Sequence, residues 1–343
     1  MANSSHNRPP ILIAGPCAAE SEEQVLQTAH ALALCRPIVR AGLWKPRSRP
    51  DSFQGVGEKG LAWLQRVERE TGLLTATEVT TPEQLRLTLQ AGISYIWIGA
   101  RTAANPIDVQ ALANALQEDV MSGAGIGLKG VMVKNPMHED APLWMGNIRR
   151  IQEALNGSQI PVWAVHRGCN HHPCWGMAYA VRESMPDVPL LLDPSHLSGD
   201  AKQIAPLCEK AMELAYNGLM IEVHPAPNKA LSDAAQQITP EQLHTIWTSL
   251  PSFADHPSDL PLRWLRAMMD EVDDALWETI NKRMTISRRI GEWKRQAGIP
   301  IRQPARFEDI LNHRIQKETQ NGLTQDMIIT ICQALHEESI RKQ

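Results

Sequence analysis

Residues able to do chemistry recur in this chain at one kind of place, directly after a short apolar run. "LWKPRSRPDSFQG" (residues 43–55) follows "PIVRAG" and sets Lys45, Arg47 and Ser48 among prolines, with Arg40 just ahead of it. Other runs lead into Cys17, Glu78, Arg101, Lys134, His166 with Arg167, Asp193 with Ser195 and His196, and Glu222 with His224; Asp233 stands a short loop further on. Arginine forks and lysine point charges hold phosphate and carboxylate, so the basic set calls for ligands with more than one anionic group. Cys17, His196, Glu222 and Asp233 offer a thiol, an imidazole and two carboxylates. That mixed set suits a divalent first-row metal without selecting one strongly, and the thiol makes magnesium or calcium less natural. Taken singly, each residue has a plainer account. A lone cysteine is usually a small buried hydrophobe, His196 and Glu222 can pair locally, Asp233 can cap a helix at "AAQQI", and rim cations are mostly solvated. Convergence is what would make them a site.

The elements that must position them follow from periodicity. Eight short apolar runs end in glycine, proline or charge: "ILIAGP" from residue 11, "IVRAG" from 38, "LLTATE" from 73, "YIWIGA" from 95, "GVMVKN" from 130, "VWAVHR" from 162, "LLLDPS" from 190 and "GLMIEVH" from 218. Stretches of helical period separate them, such as "EEQVLQTAHALAL", "GEKGLAWLQRVERE" and "PEQLRLTLQAG". Eight β-then-α repeats in about 250 residues predict an α/β fold, a TIM (β/α)8 barrel, whose chemistry sits at the C-terminal ends of its strands. A doubly wound open sheet competes, but it usually has fewer strands and a glycine-rich phosphate turn where this chain has "GPCAAES". Past the barrel, "LPSFADHPSDLPLRW" reads as a linker. Only helical patterns follow: one to about Arg295, one from about Arg306 to Thr319 and one from Thr324 to Lys342. The expected organisation is a barrel over 1–250, a proline-rich linker over 251–261 and an all-α three-helix domain over 262–343.

Composition narrows the function classes. With 343 residues, 43% apolar and 21% charged, the chain is an ordinary soluble globular protein. No apolar run reaches membrane-spanning length, and "MANSSHNRPP" lacks the apolar segment of a signal peptide, so a cytoplasmic protein without a membrane partner is expected. Six cysteines at irregular spacing are expected to be reduced thiols. A net charge of -4 argues against a nucleic-acid partner and makes any anion site a local cluster.

"GPCAAE", "RAGLWKPRSRPDSFQG", "IGAR", "LLDPSH" and "IEVHPAPNKALSD", in this order and spacing, resemble the 3-deoxy-D-arabino-heptulosonate 7-phosphate (DAHP) synthases over roughly residues 10 to 250, in the subgroup whose barrel lacks long internal insertions. The resemblance implies condensation of phosphoenolpyruvate with erythrose 4-phosphate and release of phosphate, the first step of the shikimate pathway. It implies a divalent metal on Cys17, His196, Glu222 and Asp233, manganese first, with iron, cobalt or zinc as alternatives. Phosphoenolpyruvate would lie on Arg40, Lys45, Arg101, Lys134 and Arg167, and erythrose 4-phosphate on Arg47, Ser48 and Asp193. Lys45 is the expected proton donor to the new alkoxide, and Glu78 the group that orients the attacking water. Prolines flanking Arg47 hold the loop's cations in place before binding. Ser48 stands where the family usually has threonine, which keeps the hydroxyl. Strand one begins at Ile11, so no regulatory domain is expected ahead of the barrel.

In the helical unit, Leu262, Leu265, Met269, Val272, Leu276 and Ile290 follow a heptad-like seam broken by Arg283, and a charge on an apolar face calls for an anionic partner. Lys294 shares a face with Arg283, Arg266 points about a quarter turn away, and Ser339 shares a face with Gln343. Periodicity alone reads as a dimerising helix bundle. The run from "LRAMMDEVDDALWETINKRMTISRRIGEWKR" to "EESIRKQ" nevertheless resembles the all-helical chorismate mutases over about eighty residues. The resemblance implies rearrangement of chorismate to prephenate on Arg266, Arg283, Lys294, Arg306, Ser339 and Gln343, with Arg266 serving a partner protomer and hence at least a homodimer. No nucleophile is required: cations fix two carboxylates, and Lys294 and Gln343 donate to the breaking ether oxygen. Phe307 stands where the family usually has glutamate, Gln303 where an acidic residue is common, and Gln343 at a helix end exposed to fraying. Prephenate or chorismate is further expected to inhibit the barrel by feedback. Two other readings stay open: a sibling synthase using another sugar phosphate, disfavoured by "KPRS", and a helical unit that senses ligand or assembles the protein without catalysis.

Overall fold

The computed structural model describes residues 10–45, 52–123, 127–251 and 258–343. Among these, eight parallel strands close a barrel in chain order: β1 (Ile11–Gly15), β2 (Ile38–Arg40), β3 (Thr75–Glu78), β4 (Tyr95–Ile98), β5 (Gly130–Lys134), β6 (Val162–His166), β7 (Leu190–Leu192) and β8 (Gly218–Glu222). The last strand returns to the first, with Ile11 opposite Gly218 and Gly15 opposite Glu222. All eight apolar runs become strands, because a parallel strand covered on both faces is apolar almost continuously.

The barrel helices are α1 (Glu22–Leu32), α2 (Lys59–Thr71), α3 (Pro82–Gln90), α4 (Ala100–Ala103), α5 (Pro106–Met121), α6 (Ala141–Ala154), α7 (Trp175–Ser184), α8 (Pro194–Ser198), α9 (Ile204–Glu213) and α10 (Pro240–Ser249). Their starts are written locally. Ser21, Thr81, Asn105, Asp140 and Thr239 accept from backbone N–H groups of the first turn, and α3, α5, α6 and α10 carry proline there. Inside the barrel lie Ile13, Trp97, Met132, Trp163, Leu191 and Met220. A second apolar layer, including Trp144 and Trp175, lies between strands and helices. Gly15 has φ +150, and a Cβ there would run into the Arg40 backbone, so only glycine lets the ends of β1 and β2 lie this close.

The chain divides into two compact units, Met1–Met268 and Met269–Gln343. The division falls beyond the expected 251–261 linker because the first turns of α11 (Leu260–Gln296) bury Leu260, Trp264 and Ala267 in the core of the first unit. Trp264 packs there against Tyr216 at 5.5 Å, Tyr179 at 5.8 Å and Trp175 at 6.3 Å between ring centroids. The second unit holds the rest of α11 with α12 (Pro304–Gln320) and α13 (Gln325–Lys342), the three helices expected. Leu262, Leu265, Met269, Val272, Leu276 and Ile290 are all exposed, so the heptad-like seam is not the buried face of this chain. Among the described residues no helix is long and apolar enough to cross a membrane.

Candidate active site

Beyond the ends of β1 and β8, ligand atoms of Cys17, Glu222 and Asp233 all lie within 4.8 Å of one another. Cys17 Sγ is 2.9 Å from Asp233 Oδ2, and His196 Nε2 is 3.5 Å from Glu222 Oε1. Asp233 takes a left-handed backbone (φ 50) at the head of a short 3-10 turn, Ala234–Gln236, and makes no side-chain cap there. The capping role open to it in the sequence is therefore replaced by contact with Cys17. His196 is oriented by Asp193, which accepts from His196 N at 3.0 Å and whose Oδ2 lies 2.8 Å from Nδ1, leaving Nε2 toward Glu222. A carboxylate behind an imidazole is the usual way a ligating histidine is held. Burial pushes the Cys17 thiol up to about 12, with Glu222 adding to the effect, so it keeps its proton until a cation offsets the charge. Burial works against ionisation of Glu222, but His196, Arg40 and Lys45 outweigh it and hold its pKa below the ordinary value. One sulfur, one nitrogen and two carboxylates fit a divalent first-row ion.

Of the residues that hold these ligands, Ser195 and His224 stood out at strand ends in the sequence, whereas Gln236, Gln237 and Glu20 did not. Gln236 Nε2 donates to Glu222 Oε2 at 2.7 Å. Gln237 accepts from Cys17 N at 3.1 Å and donates to Ser232 O at 2.8 Å, tying the β1 loop to the loop that carries Asp233. Glu20 accepts from Leu231 N at 2.7 Å and lies 3.5 Å from His224 Nε2, and Ser195 Oγ accepts from Glu222 N at 2.9 Å. The one cue was the pair of adjacent amides shortly after Asp233.

Cations surround the donor set. Arg40 is buried, donates to Glu222 Oε1 at 3.0 Å and lies 4.8 Å over the Trp97 ring. Lys134 donates to Asp193 Oδ2 at 2.6 Å. Lys45 Nζ is 2.9 Å from both Cys17 Sγ and Cys17 O. Burial opposes the Lys45 ammonium, but the Cys17 thiolate, once its proton is lost, and the charges of Glu222 and Glu78 hold its pKa above the ordinary lysine value. Arg167 donates to His196 O at 3.2 Å. Burial depresses its pKa and the charge of Arg101, exposed on α4, adds to that effect; two like charges in one field draw an anion. A Cβ at Gly99 would overlap the Glu78 carboxylate, which therefore packs on the start of α4. Asp193, expected at the aldose phosphate, is 0% exposed; as N-cap of α8 it faces His196 and Lys134. Arg47 and Ser48 lie outside the described residues.

In the second unit, Arg283 donates to Ser339 Oγ and, at 2.9 Å, to Leu335 O, both uncharged oxygens of α13. Lys294 donates to Ile301 O at 2.9 Å and lies 3.5 Å from Gln343 Oε1. Gln343 is clasped against fraying: its N–H donates to Ser339 O at 3.1 Å, Arg295 donates to its carbonyl, and a Cβ at Gly291 would overlap it. Arg283, Lys294, Ser339 and Gln343 are thus brought together. Arg306 is exposed in the first turn of α12, and Arg266 is exposed on α11 within the first unit.

A family model described as the DAHP synthetase I family matches residues 3–139 and 175–254. The chain belongs to that family. A second model, chorismate mutase type II, matches residues 265–343, so a DAHP synthase domain is followed by a chorismate mutase domain and the chain is an enzyme of both kinds. DAHP synthases are generally dependent on a divalent metal. Among relatives, a phospho-2-dehydro-3-deoxyheptonate aldolase of Thermotoga maritima is 30% identical over 253 residues, 71% of this chain and 70% of that protein. A 2-dehydro-3-deoxyphosphooctonate aldolase of Wolinella succinogenes is 24% identical over 269 residues, 69% of this chain and 96% of that one. The crystal structure of a DAHP synthase from Thermotoga maritima matches with a TM-score of 0.60 at 28% identity, covering 71% of this chain and 68% of its own.

Proposed function

We propose that the barrel condenses phosphoenolpyruvate with erythrose 4-phosphate at the Cys17, His196, Glu222 and Asp233 centre, and that the helical unit converts chorismate to prephenate. The observation that carries the first part is the donor set lying beside Arg40, Lys45, Lys134 and Arg167 at one barrel mouth. A bound divalent ion, manganese ahead of iron, cobalt or zinc, would supply Lewis acidity to the aldehyde. Arg101 and Arg167 hold the phosphate of phosphoenolpyruvate, while Lys134 and Arg40 face its carboxylate. Arg47 and Ser48 hold the phosphate of the aldose. Lys45 gives its proton to the new alkoxide, and Glu78 orients the water that completes the reaction before phosphate leaves.

In the helical unit, Arg283 and Arg306 fix the two carboxylates of chorismate and Lys294 with Gln343 donates to the ether oxygen, so that charge developing on it is met by preorganised donors. A second copy supplies Arg266 and covers the exposed apolar stripe, which makes the protein a homodimer. Prephenate or chorismate bound there lowers the synthase rate, in a cytoplasmic enzyme.

The test is phosphoenolpyruvate consumption by metal-stripped protein with erythrose 4-phosphate, before and after adding manganese, with and without prephenate. Metal-dependent consumption supports the synthase chemistry, and its suppression by prephenate supports feedback. No consumption with any of the four metals overturns the first; an unchanged rate overturns the second. The 24–28% identity to 2-dehydro-3-deoxyphosphooctonate aldolases makes a longer sugar phosphate the second reading. Faster turnover with a five-carbon aldose phosphate would favour it.

A further inference from the structure

The cations of the mutase site leave one need unmet. Chorismate carries a ring hydroxyl as well as two carboxylates and an ether, and that hydroxyl donates a hydrogen bond. Arginine and lysine have no acceptor to offer. Ser339 Oγ already takes the Arg283 donor while giving its own proton to Leu335 O at 2.6 Å, and Gln343 Oε1 faces Lys294.

His336 offers an acceptor on the same helix as Ser339 and Gln343. It lies on α13 three residues before Ser339 and seven before Gln343, spacings that put all three on one face of the helix. Its ring stacks on Phe307 of α12 with centroids 4.1 Å apart and planes at 21°, which restrains the imidazole plane. The charges that act on it come from three segments: Arg283 and Lys294 of α11, Arg302 just ahead of α12, and Glu337 of its own helix. Burial and these cations hold its pKa below the ordinary histidine value, so a ring lone pair is available at neutral pH.

We propose that His336, braced by Phe307, accepts the hydrogen bond of the chorismate ring hydroxyl and so helps determine which cyclic dicarboxylate the site rearranges. This rests on the mutase reading of the helical unit. It also gives Phe307 a part: its ring braces the imidazole by stacking on it.

The experiment follows chorismate absorbance with the full chain, as wild type, His336→Leu and His336→Gln, between pH 5 and 8, alongside an analogue lacking the ring hydroxyl. His336→Leu is expected to lose about 10- to 100-fold in kcat/KM on chorismate, the scale of a substrate hydroxyl left without its acceptor. His336→Gln keeps a carbonyl acceptor and is expected to recover most of that loss. The acid limb of the wild-type profile should disappear in His336→Gln, and on the analogue the three proteins should differ little. A wild type inactive on chorismate overturns the mutase reading itself. An active wild type with His336→Leu within twofold of it overturns the inference alone, and so does an equal loss on chorismate and analogue, which marks a merely structural role.

Discussion

Gln237→Ala tests how the metal centre is built. The substitution removes two buried hydrogen bonds, one from Cys17 N at 3.1 Å and one to Ser232 O at 2.8 Å. Each leaves a buried backbone group without its partner, at a cost of about 1–3 kcal/mol, so stability is expected to fall by about 2–6 kcal/mol, and by less where water enters. The selective effect is on metal affinity. Cys17 and Asp233 belong to loops more than two hundred residues apart in the chain, and Gln237 touches the backbone of both loops. Groups that orient metal ligands typically govern about 10–100-fold in affinity, or about 1.4–2.8 kcal/mol. Competition titration of the apoprotein with cobalt against a chelator reads this directly, and the thiolate–cobalt absorption reports whether Cys17 still ligates. Circular dichroism confirms folding. A folded Gln237→Ala protein whose cobalt affinity stays within twofold of wild type refutes the reasoning.

Three further outcomes are expected. His166 is fully buried against Tyr216, and burial lowers its pKa from 6.5 to about 3. Between those values the unfolded chain carries a proton that the folded chain lacks, so this group removes stability as pH falls through that window, by about 1.4 kcal/mol per unit. Urea midpoints measured from pH 7 to 4 should fall less steeply in His166→Gln than in wild type, and parallel curves would contradict the assignment. Lys45→Met should abolish phosphoenolpyruvate turnover while cobalt still binds; retained turnover removes Lys45 from the proton transfer. Val272→Asp combined with Leu276→Asp should yield a monomer in sedimentation, since the exposed α11 stripe is the proposed dimer face, and an unchanged dimer would place the interface elsewhere.

Much of this protein was legible in its residues. The eight strands follow from short apolar runs closed by glycine, proline or charge, and the barrel reading put Cys17, His196, Glu222 and Asp233 at one mouth before any distance was known. The three C-terminal helices followed from their period in the same way. Period names a face without saying what that face meets. On α11 the sequence predicts a stripe through Leu265 and Val272, yet the core takes Trp264 and Ala267, because Tyr216, Tyr179 and Trp175 of the barrel offer an aromatic niche that no local pattern encodes. The family resemblance implies Asp193 as a group for substrate, and only the packed barrel shows it buried against Lys134 and His196. Gln237 and His336 make the same point from the two units. Each meets partners on other elements, and hydrogen-bond and ring geometry between distant segments is decided only when the chain closes on itself.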